Sequence, residues 1–508
     1  MSRFSDLPLD LLPYILDHLS EQEFKSLIHV CKSLYKEVIP FLYQDISFTA
    51  RNSRVYAREL SFILRTLVEC PQLANYVTSF RLLGSKHHWN REDPTSERNA
   101  WTSNLWGLEG VTILSKAQLF LASNQFYQLV DDGMHGSQTQ FRGRSKDALA
   151  TLVLTRFTQL TTLEIGDGFL VHSLFLPRIL KRANYLFPKL GHITFGDKKT
   201  GAEKGVTYCD LDLIRPAFYL NTLKTFEWRM SQPWRFEWKR PEPPRNENLT
   251  MLHLFRTNID RTTLGQLLAG TSNLKSFYYE QEILFDSAAS WRSSMSQFLE
   301  LRGLNTALNH VVATLEECKL SLVLGPGSLS PDEISEAGWE FPAIQGTLTV
   351  LRAMKKLKTV EVPFIFFLGW SPDSAARLEE VLPLDITHLT LRDDFVSHCP
   401  WAVGFNCNKK IGLIGEYVEA RSVHAPQLYT LKIRLTAAKS DWLYRVVKAL
   451  NGIISGSGVT TFSTSMPGTE IYTWQFVKQI CTLRKDSVMT STPFAPPQSS
   501  NRVVFFDV

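Results

Sequence analysis

The chain has 508 residues, 44% hydrophobic, 12% aromatic and 21% charged, with 55 Lys+Arg against 50 Asp+Glu for a net charge of +5. That length exceeds what one core usually fills, so two or more domains are expected. The mild positive balance carries no run of five or six like charges and gives no argument for nucleic acid, and no apolar stretch approaches the ~20 residues of a membrane span.

The first twenty residues have no basic segment feeding an apolar block and no small-residue cleavage site, so no secretory signal is expected. From Leu7 the chain reads as three short helices. Leu11, Leu12, Ile15, Leu16 and Leu19 recur at three- and four-residue steps and form one stripe. Pro13 falls in the first turn of that helix, where a missing N–H costs least; a helix starting earlier would be kinked there. Ser20-Glu21-Gln22-Glu23 has the form of a capping box. A second helix comes next, with Phe24, Leu27, Ile28 and Cys31 on one face, and a third runs from Leu34 to Ile39, ending at Pro40. Three helices this short bury little alone and must lean on a partner or on the rest of the chain.

Leu7-Pro8, Asp10, Leu11-Leu12, Ile15-Leu16, Leu19, Leu27, Val30-Cys31 and Leu34-Tyr35 resemble the F-box motif in order and spacing. The run Pro40 to Phe48 resembles the segment that closes the F-box in many fungal members. Tyr35 stands where many F-boxes carry Trp, and Pro13 replaces a more usual helix former. The resemblance implies docking to a Skp-type adaptor through Leu7, Pro8, Leu11, Leu12, Ile15, Leu19, Leu27, Val30, Cys31, Leu34 and Tyr35. Through that adaptor it implies the cullin and RING subunits of a ubiquitin ligase. Read without the resemblance, the same helices are a cap for the remainder of the chain, with Leu and Ile in its core.

Beyond the helices the chain is repetitive. A six-residue frame Φ-x-x-Φ-x-Φ, with Φ apolar, begins at Leu160, Leu190, Leu223, Leu249, Leu274, Leu315, Leu357, Ile386 and Leu428. Val77 opens an early copy and Val459 a degraded late one. The first five starts are separated by 30, 33, 26 and 25 residues and later gaps reach about 40, close to solenoid periods. The last two Φ sit two apart, so a short strand turns both toward a core, and the first Φ anchors the turn entering it. Helix-like segments such as Leu174 to Phe187 and Thr262 to Ala269 lie between frames. The alternative is an unrelated α/β domain with several parallel strands.

If the frame holds, its fifth positions face outward on a concave sheet. These are Glu164, Thr194, Glu227, His253, Tyr278, Lys319, Glu361, Thr390 and Lys432, a mixed polar set that suits a protein-recognition surface and equally any solvated face. The stretches 86–104, 131–147, 231–248 and 324–345 break the pattern and read as edge loops. Trp228 to Arg240 interleaves aromatic and basic residues; packing against the solenoid edge is favoured over a nucleic-acid platform. Ser487 to Asn501 is Ser/Thr/Pro-rich and is expected to be disordered.

The seven cysteines are scattered, with no C-x-x-C pair, and His398, Cys399 and Cys407 match no zinc module. Reduced thiols in cytosol or nucleus, with no metal or cofactor, are the simpler expectation. Phosphate-binding loops, nucleophile elbows and zinc-protease helices are absent from the sequence, so no enzyme is expected. The fold expectation is α/β: a three-helix F-box (1–48), a linker with first irregular repeats (49–150), an irregular leucine-rich-repeat solenoid or horseshoe (151–485) and a tail (486–508). The functional expectation is a substrate-recognition subunit of an SCF-type ubiquitin ligase; the alternative is a scaffold in a cullin-free adaptor complex.

Overall fold

The computed structural model describes residues 11–16, 18–49, 53–83, 146–170, 173, 176–196, 215–229, 245–257, 259–283, 300–324, 344–372, 375–394, 406–435, 459–466 and 469–476. They form two compact units, the described residues up to Lys224 in one and those from Thr225 in the other. No described helix is long and apolar enough to cross a membrane.

The first unit opens with three helices, α1 (Leu12–Leu16), α2 (Glu21–Ile28) and α3 (Lys32–Gln44). Ser20 caps α2 in a complete capping box: Ser20 Oγ accepts from the Glu23 N–H, while Glu23 Oε2 accepts from the Ser20 N–H at 2.6 Å. The third helix does not stop at Pro40, as expected, but runs through it to Gln44. Proline costs that helix the bond to the Lys36 carbonyl. Val38, Ile39, Leu42 and Tyr43 are all buried on it, and that burial carries the helix past the break.

Directly after α3 comes β1 (Asp45–Thr49), with Ile46 and Phe48 buried. It pairs in parallel with β2 (Ser79–Leu83), then β3 (Thr162–Ile165) and β4 (His192–Phe195) join in chain order. A parallel neighbour needs a crossover. Between β1 and β2 it is α4 (Ser53–Glu69), which packs against α5 (Lys146–Leu154). Leu60, Leu64, Leu67, Leu152 and Val153 are buried on these two helices.

The second unit repeats the plan. Strands β5 (Thr225–Arg229), β6 (Met251–Thr257), β7 (Ser276–Ile283), β8 (Glu317–Leu324), β9 (Thr359–Pro363), β10 (His388–Arg392) and β11 (Thr430–Leu435) are parallel and adjacent in chain order. Helices α6 (Arg261–Ala269) and α7 (Leu301–Asn309) cover part of it. Gly265 and Gly303 allow their close approach: a Cβ on Gly303 would lie 2.9 Å from Arg261 Cβ.

Every frame from Val77 to Leu428 coincides with a strand, and its last two Φ point into the core. Phe80 and Leu82, Phe226 and Trp228, Phe277 and Tyr279, and Val360 and Val362 are all buried. The first Φ sits in a turn closed by a bond to the carbonyl three residues back, as in Leu160 to Phe157, Leu190 to Phe187 and Leu357 to Met354, at 3.1–3.2 Å. Along most of the ladder, the carbonyl just before one strand then accepts two N–H groups from the next frame: Thr78 from Thr161 and Thr162, Lys275 from Glu316 and Glu317, Thr387 from Tyr429 and Thr430. One structural unit is therefore being reused.

The copy expected at Val459 is different. Val459–Met466 is an antiparallel strand (β12), and β13 (Thr469–Phe476) lies between it and β11, antiparallel to both. Pro467-Gly468 between them is turn-favouring sequence, and a hairpin needs no crossover helix. The expected tail and residues 1–10 lie outside the described residues.

Candidate functional site

Two kinds of surface qualify, a helical one in the first unit and the outward strand face of each unit. The first is the end of α1–α3 that faces away from β1. Phe24 and Leu16 are buried, and α3 is rooted through Val38, Ile39, Leu42 and Tyr43. Four large apolar side chains are exposed: Leu11 is 48% exposed, Tyr14 71%, Val30 66% and Tyr35 48%. Ile15, Leu19, Leu27 and Leu34 are half-buried among them. Cys31 does not share the buried face of α2. It is exposed and caps α3, its Sγ accepting from the Leu34 N–H at 3.5 Å. Of the residues expected to dock an adaptor, Leu7, Pro8 and the Leu12 side chain lie outside the described residues. Tyr14, the most exposed of the group, was not among those expected; it is the one large apolar side chain off the leucine stripe of α1.

Large side chains left this exposed hold free energy in reserve, since covering one fully is worth about 1.5–3 kcal/mol. Single exposed leucines are ordinary, but four large apolar side chains exposed within one short segment, at the start of α1, in the turn after α2 and at the start of α3, point to a binding partner.

The second surface is the outward face of the strands. In the first unit Glu164 and Thr194 are register partners, with Arg81 beside Glu164. Arg81 donates to Asp45 at 2.9 Å and reaches Glu164 at 3.8 Å. In the second unit Glu227, His253, Tyr278, Lys319, Glu361, Thr390 and Lys432 are successive register partners, one row across seven strands. The row expected from the frame is thus a row in space within each unit.

Its neighbours two residues away along each strand make it a network. Arg229 donates to Glu227 at 2.6 Å, and His253 lies 3.7 Å from the same carboxylate. His253 contacts Ser276 Oγ at 3.3 Å, Ser276 donates to Glu317 at 2.6 Å, and Lys319 closes on Glu317 at 2.6 Å. His253 and Arg229 hold the Glu227 carboxyl down to about 2 against its burial. At 3.7 Å the histidine is at ion-pair rather than hydrogen-bond distance, so the arginine is the firmer anchor. Burial pushes Glu317 up, but Lys319 and Ser276 outweigh it and the carboxyl lies below its ordinary range.

Aromatic rings fill the middle. Arg229 stacks over Phe255 at 4.8 Å, and Phe255 meets Tyr278 edge-on at 4.5 Å. Burial raises the Tyr278 hydroxyl, which donates to Glu280 at 3.0 Å and lies 3.4 Å from Ser321 Oγ. Further along, Arg392 is buried between Glu361 at 2.7 Å and Asp394 at 3.0 Å, while Arg434 reaches the same Glu361 oxygen at 3.2 Å. The Leu322 N–H donates to Asp394 at 2.9 Å, tying β8 to the end of β10. Burial disfavours the charged Arg392, but Asp394 and Glu361 overrule it and keep the guanidinium protonated.

Arg229, Phe255, Glu280, Ser321, Arg392 and Arg434 were not expected as site residues. All six come directly after their frame's last Φ, and that seventh position was the available signal. Among the described residues no group of three metal-ligating side chains converges. The aromatic-basic segment enters the structure only at Trp228, fully buried in β5, and Arg229; its remainder lies outside the described residues.

Compared with protein families, residues 4–38 match the F-box domain. Among curated proteins none matches the chain. F-box domains bind Skp-type adaptors, and an F-box implies a general role in substrate recognition by SCF-type ubiquitin ligases. The exposed residues Leu11, Tyr14, Val30 and Tyr35 all lie within the matched stretch.

Proposed function

We propose that the chain is a substrate receptor of an SCF-type ubiquitin ligase, engaging a Skp-type adaptor with the exposed end of α1–α3 and a protein target with the outward face of its strands. The observation that carries this reading is the coincidence of the F-box match with the exposed group Leu11, Tyr14, Val30 and Tyr35. An adaptor groove would cover those side chains, and the rooted half of α3 would transmit the position to the first unit. The parallel strands, each opened by the same turn, support a leucine-rich-repeat solenoid as the target-holding part. The face is polar, aromatic and internally ordered, which suits selection of one protein partner over another.

On this reading the chain performs no chemical step; it positions a target for ubiquitin transfer on other subunits, in cytosol or nucleus, leading to degradation. The test is co-purification of the tagged chain with adaptor, cullin and RING subunits. Recovery of all three is the expected result. Recovery of adaptor without cullin would replace the ligase reading with a cullin-free assembly, and recovery of neither would remove both.

A further inference from the structure

The outward face of the second unit is not uniform in charge. On β5 to β8 the carboxylates Glu227, Glu280 and Glu317 alternate with Arg229 and Lys319 and are bonded to their neighbours. On β10 and β11 the outward positions are His388, Thr390 and Arg392, then Thr430, Lys432 and Arg434. Neither strand places a carboxylate there. Two guanidiniums, register partners on adjacent strands, share one oxygen of Glu361, and the second carboxylate, Asp394, is committed to Arg392 and the Leu322 N–H.

That leaves cation in excess. Lys432 is exposed and forms no salt bridge among the described residues. Arg434 is 38% exposed, and its Nε–H is buried with no hydrogen-bond partner among the described residues. The register partners of Lys432 and Arg434 on β13 are Thr473 and Ile471. Arg392 cannot turn away, since two carboxylates hold it; Arg434 is held by one bond and keeps donors to spare.

We propose that the β10–β11 end of the sheet, through Lys432 and Arg434, binds an Asp/Glu-rich segment of the protein target. Carboxylates meet Lys432 and the spare face of the Arg434 guanidinium, and Arg392 with Glu361 and Asp394 forms the rigid floor beneath. The β5–β8 end, with three carboxylates to two cations, gives an acidic segment no such welcome, so the target lies on the sheet in one orientation. This rests on the reading of the sheet as the capture surface. Its test contains no adaptor, so its failure and a failure of adaptor docking are told apart.

The experiment is fluorescence polarisation of a labelled Asp/Glu-rich peptide on the full-length protein, against a Ser/Lys-rich peptide and a phosphoserine version of a neutral one. Variants are Lys432→Glu, Lys432→Glu with Arg434→Glu, and the charge-matched control Lys355→Glu with Lys356→Glu, whose lysines are exposed in the turn before β9. The expected result is binding of the acidic peptide that weakens as salt rises from about 0.05 M to 0.3 M, lost about tenfold in Lys432→Glu and further in the double variant, with the control unchanged. Lys432→Glu leaves the Arg434–Glu361 bond in place, so it decides the matter if the double variant does not fold. No binding by the wild type, an equal loss in the control, or binding of the phosphoserine peptide alone would each overturn the proposal.

Discussion

The two surfaces are built on opposite principles. The helical end leaves large apolar side chains in water, and its polar bonds are local, such as Ser20–Glu23, Ser26–Gln22 and Cys31–Leu34. The sheet face engages its polar side chains with one another, from Arg229–Glu227 across to Arg392–Asp394. An apolar surface waiting for cover binds through area and tolerates small changes in its partner. A face whose charges are already paired gains little from a generic partner and discriminates through shape and through the few charges it leaves over. One chain thus carries a generic handle and a selective hand.

If that contrast is right, removing a partner within the sheet network should cost far more stability than removing one from the helical caps. The largest effect falls on Arg392→Met. It strips the cation from Asp394 and leaves Glu361 to Arg434 alone, and an uncompensated buried charge typically costs about 3–5 kcal/mol. Urea unfolding of the full chain should show that loss; a change below about 1 kcal/mol, the range of exposed pairs, would make the network ornamental.

Glu227 comes next. Its carboxyl sits at about 2 in the folded chain against an ordinary 4.5, so it is depressed. A depressed carboxyl contributes stability above its unfolded value and loses it as pH falls through the folded one. The wild type should therefore lose stability between pH 4.5 and about 2, and Glu227→Gln should lose up to about 3 kcal/mol less over the same window. Parallel acid profiles for the two proteins would show that Arg229 and His253 do not hold that carboxylate. Smallest is Ser20→Ala, which removes one side of the capping box from α2 and should cost ~1 kcal/mol. That cost should appear as faster amide exchange confined to residues 20–28; slowed or unchanged exchange there would mean the cap contributes nothing.

Much of this architecture was legible because the frame is short and local. Two apolar residues spaced two apart after an apolar turn residue mark a strand wherever they fall, and nine successive frames did so. The same frame fits Tyr43-x-x-Ile46-x-Phe48, which makes β1 readable in hindsight; it was masked by belonging to the helical module's closing run. Other features depend on what lies across the sheet. Arg256 takes φ 50° where the β6–β7 register slips between Leu254 and Thr257, a bulge that turns Thr257 into the core and brings Arg256 within 3.1 Å of Glu282. Simple alternation fails there, and no local pattern announces it. The Arg392–Glu361–Arg434 cluster needs three strands in register before it exists. In the helices, sequence located the apolar stripe but could not divide it: burial of Leu16 and Phe24 against exposure of Val30 and Tyr35 is decided by where α3 is rooted.

The most direct test of the account is the affinity of the full-length protein for a purified Skp-type adaptor, compared with Val30→Asp/Tyr35→Asp. Both side chains are exposed, so the variant should fold and melt as the wild type does. The account predicts tight wild-type binding and a loss of at least ~100-fold, or about 2.7 kcal/mol, in the variant. A folded wild type that does not bind, or a variant that binds within about threefold of it, would contradict the claim that this apolar end is the docking face.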